Sequence, residues 1–497
     1  MIDTYCVKIL NTDSYDKLRQ VIPPTHIDDF IISELKKNLG TKCKSVVVEN
    51  PYYDGDYLST YYIFYSKKLR QFPKECWRLL FCTDATGKHV FGSMSLRPTY
   101  DRVRIGRTLI NPSFLVDKPS DMILCPQKVH SAGREIMLRV FPHMRQEGDV
   151  SVCAHVALWA ILRSFSARFN LYRDVKLGEI VEAIEPESER LIPSKGLSVF
   201  QISDALLKYG FSPIICSEAD DRSRTQGCAD SIITYVNSGI PVLGISSSRN
   251  HAVAIVGKVS VSRDDQSKVW DKPPVTCCSV GSNKVIRLLF SSDFVSDYIV
   301  NDDNFFPYQR VNRYPQKSQT NCVQYDKEDH PSIVNYKIRD FDYAIIPLYS
   351  RVQLCYSDVK ELLIGLVEAG NYDDIADQLL VVHPFLASAN TYREYANDVI
   401  RQYDPDLSEL ILTLEMPKFI WCVEIATKES FQKGLFNALV LIDSTSATVN
   451  KEPYLLVTFE REIRYLDRDV GRAFPQESGR KEFPSFDRNL NEVQPNV

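Results

Sequence analysis

Between Val152 and Leu162 the only residue that is not apolar is His155, and the following stretch, to Phe169, mixes Arg163, Ser164, Ser166 and Arg168 with Phe165, Ala167 and Phe169. An 11-residue apolar run is too short to cross a bilayer and suits a buried helix; the Ala, Leu and Ile content of AHVALWAILRSF predicts a helix over Cys153–Phe169. Downstream, Ser198 with Gln201 is a capping-box signature, and Gly210 ends the helix that follows. A further helix in DSIITYVNSG stops at Gly239, and Pro241 opens the strand PVLGIS. The polar loop SSRN leads to His251 and a second strand, AVAIVGKV. The charged stretch from Ser262 to Pro274 reads as a loop. Strands VIRLLF and DYIV come next, the latter running into Asn301-Asp302-Asp303, and FDYAIIPL closes the region.

The flanks are patterned differently. Before residue 125, helices are expected around Ser14–Val21 and His26–Lys37, and strands in SVVVEN, YLSTYYIFY, WRLLFC and HVFGSMSL. After residue 350, SDVKELLIGLVEAG, DIADQLL and YREYANDVIRQY read as helices, and FIWCVEIA, NALVLID and YLLVTF as strands. From about Gly471 the chain is polar, with Pro475, Pro484 and Pro495, and a frayed tail is expected. The fold class is therefore α+β. Its organisation reads as an N-terminal α+β region (1–125), a middle domain (126–350), a C-terminal α+β region (351–470) and a flexible tail (471–497).

Composition narrows the function. A net charge of −5 argues against general nucleic-acid binding. Neither GxxxxGK[ST] nor GxGxxG occurs, so no cofactor is expected. The start of the chain reaches Asp3 and Lys8 too early for a signal-peptide apolar region, and no membrane span is expected. Thirteen cysteines include no CxxC pair, which points away from metal ribbons and redox motifs. Cys277-Cys278 reads as packing. The expected setting is the reducing cytoplasm, with most thiols acting as small buried hydrophobes.

Cys153 differs because it opens the apolar helix, where free N–H groups and the helix dipole favour a thiolate. A nucleophilic thiol needs a base, and His251, between a loop and an apolar strand, is the candidate. The base needs an orienting group, and Asp302 at the end of a later strand suits that role, with Asn301 and Asp303 as alternatives. Gln146 and the Cys153 N–H would supply oxyanion donors. His155 sits two residues after the thiol on another helix face, and His130 and His143 precede the cysteine and reverse the expected order. Ser444 lacks a nucleophile elbow, and Glu415 and Glu424 read as structural.

The order Gln146, Cys153, His251-Ala252-Val253, Asn301-Asp302, with Gly239-Ile240-Pro241-Val242 before the histidine, resembles the papain-like cysteine peptidases. Within them it is most like the branch of bacteriocin-leader peptidases that cleave after a double glycine. The resemblance covers about residues 126–350. It implies a core with a helical side packed on an antiparallel sheet. It also implies hydrolysis of peptide or isopeptide bonds through a thioester acyl-enzyme, with a protein or peptide as substrate. Two other readings share these residues: an acyltransferase of the transglutaminase or arylamine-acetyltransferase type, and a non-catalytic binding protein, for which Cys153-Ala154-His155 in place of the family's Cys-Gly-Pro speaks.

Overall fold

The apolar helix forms as Cys153–Arg168, and every residue from Ala154 to Phe165 on it is buried. A helix apolar on all faces has to be enclosed by other elements, and this one is. In the computed structural model, residues 3–98, 104–186, 192, 196–217, 228–271, 276–280, 284–312, 341–369, 378–447, 453–459, 462–465, 476–477 and 481–492 are described.

The helix packs on a mainly antiparallel sheet. Its strands run in the spatial order Gln309–Asn312, Val295–Asn301, His251–Ser260, Val242–Ser246, Tyr343–Tyr349, Phe211–Ser217. The hairpin of Val242–Ser246 with His251–Ser260 pairs Ser246 with His251 across its turn. Asn250 closes that turn in the left-handed region (φ 49°), which Asn tolerates better than most side chains. Ala254 pairs with Asn301, so the chain leaving the Val295–Asn301 strand emerges beside the start of the histidine strand.

A five-stranded antiparallel sheet (Asp3–Lys8, Ser45–Tyr52, Cys76–Cys82, Val90–Leu96, Ile105–Ile110) forms the N-terminal part. The hairpin Cys125–Ser131 with Arg134–Val140 packs on it through Val129, Leu138 and Val140. A third sheet builds the C-terminal part around Leu379–Ser388, Phe419–Thr427 and Ala438–Asp443. It also takes in Thr276–Val280 and Lys284–Phe290 from the middle of the chain, the latter paired parallel with Leu379–Ser388. One buried apolar cluster runs from Val7 through the central helix to Val457. The sheets therefore do not follow the sequence boundary at residue 350.

Several local expectations are corrected. YLSTYYIFY lies mostly in a helix, Gly55–Ile63, because Asp54 caps it by accepting from Asp56 N (2.9 Å) and Tyr57 N (3.2 Å). Its buried residues Asp56, Tyr57 and Thr60 follow helical spacing. The loop expected at 262–274 contains a short helix, Gln266–Trp270, which buries Val269 and Trp270. In DIADQLL, residues 374–377 lie outside the described residues, and Leu379 and Leu380 begin a strand. The described part of the tail does not fray: Phe483 and Phe486 are buried, and Asn491-Glu492 pairs with Met122 and Asp121. No helix among the described residues is long and apolar enough to cross a membrane.

Candidate functional site

Cys153 is the first residue of the central helix, after Val152 in an extended conformation. The N–H groups of a first helical turn have no intrahelical acceptor. One donor just ahead of it is satisfied locally, since Val152 N donates to His155 Nδ1 at 3.3 Å. Burial holds His155 neutral, its pKa pulled down to about 4. His155 therefore works as a helix cap and stands apart from the thiol.

His251 Nε2 lies 3.0 Å from Asp302 Oδ1, and the ring also hydrogen-bonds the Cys153 thiol. Burial alone would lower the pKa of this imidazole. The hydrogen bonds to Asp302 and to Cys153, together with the charges of Asp302 and Asp303, overcome that and raise it to about 11. The arrangement therefore favours an imidazolium between the thiol and a carboxylate.

Asp302 is itself held in place. Its Oδ1 also accepts from Asn304 N at 2.9 Å, and its carbonyl meets His143 Nε2 at 3.0 Å. Arg145 adds two further ties, from Nε to the Asp303 carbonyl and from Nη2 to the Asn304 carbonyl, both at 3.1 Å. Asn301, one alternative orienter, is occupied elsewhere: its Nδ2 donates to the Pro142 carbonyl and its Oδ1 accepts from Tyr308 N. Asp303 Oδ1 is 3.7 Å from His251 Nε2.

Gln146 is half-buried in the loop before the helix. Its carbonyl accepts from Arg97 Nη2 at 3.3 Å, and no described contact joins its side-chain amide to Cys153. Arg97, 2% exposed, also binds Glu147 Oε1 at 2.9 Å and the Ile105 and Arg145 carbonyls. The loop carrying Gln146 is thus fixed by a buried arginine of the N-terminal sheet.

A small cavity behind the thiol is lined by His143, Cys153, Ala157, Ala252, Asn301 and Asp303, among others. Most of its lining is apolar, with Ala157, Ala160, Ala252 and Ala254 among the small side chains around it. Elsewhere, Ser444 donates to the Phe419 carbonyl, and Glu424 accepts from Ser485 Oγ and Phe486 N, which leaves both in structural roles.

Arg145, Asn304 and Arg97 are additions that sequence spacing did not single out, and His143, set aside there as a base, joins them through the Asp302 carbonyl. Each acts through a backbone carbonyl or a loop contact, and side-chain type alone carries no sign of that. No protein-family model, curated protein or solved structure matches this chain.

Proposed function

We propose that this protein is a cysteine-dependent hydrolase of the papain-like type, acting on peptide or isopeptide bonds. One observation carries the reading: a thiol at the start of a buried helix hydrogen-bonds an imidazole whose Nε2 binds a buried carboxylate. With Nε2 committed to Asp302, Nδ1 is the ring nitrogen left to exchange a proton with the thiol.

In this mechanism the Cys153 sulfur attacks the carbonyl carbon, a C–S bond forms, and the oxygen takes up negative charge. The Cys153 N–H and the Gln146 amide are the proposed donors to that oxyanion. The His251 imidazolium then protonates the amine, the C–N bond breaks, and a thioester remains. Neutral His251 takes a proton from water, whose oxygen attacks the thioester. The C–S bond breaks, releasing the acid and restoring the thiol–imidazole pair. Asp302 keeps the ring oriented throughout.

The test is labelling with a peptidyl acyloxymethyl ketone, with the modified residue located by mass spectrometry in wild type, Cys153→Ala and His251→Ala. The expected result is modification at Cys153 that is lost in the first variant and slowed at least about 100-fold in the second. Labelling that persists in Cys153→Ala and is unchanged in His251→Ala refutes the reading.

A further inference from the structure

The carboxylates beside His251 outnumber the hydrogen bonds available to them. Asp302 is 1% exposed and Asp303 is 3% exposed. Asp302 Oδ2 and both carboxylate oxygens of Asp303 have no hydrogen-bond partner on another described residue. Buried carboxylate oxygens left this way are costly, and a buried charge is ordinarily paired or bound to a metal. Besides His251, Arg145 acts on these carboxylates through its charge, but its hydrogen bonds go to the carbonyls of Asp303 and Asn304.

The three side chains are also close enough to share one ion. One ligand atom each from His251, Asp302 and Asp303 lies within 4.8 Å of the others. The His251 Nε2 distances are 3.0 Å to Asp302 and 3.7 Å to Asp303. Around a tetrahedral zinc ion with bonds of 2.0–2.1 Å, neighbouring ligand atoms stand about 3.3 Å apart, a spacing the two His251 pairs bracket. Nitrogen with two carboxylate oxygens is a donor set that zinc accepts. Asp303 also lines the small cavity beside Cys153, together with His143 and Asn301 among mostly apolar side chains.

We propose that His251 Nε2, Asp302 and Asp303 form a binding site for a divalent cation of the zinc class, and that its occupancy switches the thiol site off. Binding itself does not rest on the hydrolase reading; the inhibition does. The ion takes the nitrogen that Asp302 otherwise orients, and the ring can then no longer shuttle a proton as an imidazolium. Because the ion sits on the Nε2 side, Cys153 is not a ligand. That separates this site from a metal held directly between thiol and imidazole.

The experiment is zinc titration of the full chain, by competition with a chromogenic chelator, for wild type, Cys153→Ala and Asp303→Asn, each checked for folding by circular dichroism. Expected are one zinc per chain in wild type, unchanged affinity in Cys153→Ala, and at least tenfold weaker binding in Asp303→Asn. X-ray absorption of the zinc-loaded wild type provides a readout that needs no variant, with a nitrogen and oxygen shell near 2.0–2.1 Å expected. No zinc binding, equal affinity in Asp303→Asn, loss of binding in Cys153→Ala, or a sulfur shell near 2.3 Å each overturns the site. If zinc binds as expected but Cys153 takes up no acyl-mimicking probe even without metal, the hydrolase reading fails and the cation site stands.

Discussion

Single residues around the thiol do more than their types announce. His155 is the clearest case, because a histidine two positions from a nucleophile invites a catalytic role that its helix face rules out. Its Nδ1 accepts a backbone N–H, so protonation there both charges a buried ring and removes a cap. Its pKa in the fold is lowered, to about 4, whereas the unfolded chain binds the proton from about 6.5 downward. The contribution is therefore fully present at neutral pH and is lost as the pH falls from about 6.5 towards 4. At pH 5 this amounts to about 2 kcal/mol. His155→Gln keeps an acceptor without a titration. It is expected to lower stability at pH 7 but to flatten the loss between pH 7 and 5, as read by urea denaturation at the two values. An unchanged slope would remove His155 from the acid sensitivity. The residues Cys153, His251 and Asp302 were legible in the sequence because each sits at an element boundary that local pattern marks. His143 and Arg145 were not, since they act on backbone carbonyls about 160 residues away in sequence.

Among the elements misread from their pattern, Gly55–Ile63 braces the helix that begins at Cys153. Its Asp56 accepts from Trp159 Nε1 at 2.9 Å and from Arg163 Nη1 at 2.6 Å, both on that helix, and from Leu177 N at 3.3 Å. Tyr- and Ile-rich composition favours strands, and only the Asp54 cap and the tertiary demand for a buried Asp56 reverse that preference. Asp56→Ala leaves the Arg163 guanidinium with only the half-exposed Asp174 and takes away the acceptor of a buried indole. Breaking a buried pair from one side costs about 3–5 kcal/mol. Denaturant unfolding is expected to show a loss of that order, together with slower probe labelling at Cys153. A loss below about 1 kcal/mol would mean that the brace is not needed.

For the whole molecule, the antiparallel packing of the sheet was implied only by the resemblance, whereas the α+β class and the strands on either side of the turn before His251 followed from the hydrophobic pattern. The join between the middle and C-terminal parts did not. Residues 276–280 and 284–290 cross into the C-terminal sheet, and residues 491–492 return to the central one. Long-range pairing of this kind leaves no local mark. The polar, proline-bearing end of the chain reads as tail because its few anchors are spaced widely. Phe486 stacks on Phe385 with ring centres 5.0 Å apart and meets Tyr395 edge-on. Asn489 Nδ2 donates to the Leu386 carbonyl, and Asn491 Oδ1 accepts from Leu124 N. Gly239 lies where a Cβ would come within 2.9 Å of the Asn489 carbonyl oxygen, and its φ of +71° also requires glycine. Phe486→Ala is expected to cost about 3–5 kcal/mol, as for other buried phenylalanines. Unfolding curves of the full chain test this, and a cost near zero would restore the picture of a loose tail.

The central claim is that His251 activates Cys153. The most direct measurement is the iodoacetamide alkylation rate of Cys153 at pH 7, with the exposed Cys6 of the same chain as the internal reference. Wild type is expected to alkylate Cys153 at least about tenfold faster than Cys6, and His251→Ala to bring Cys153 down to or below the Cys6 rate. Equal rates in wild type, unaltered by His251→Ala, would contradict the account.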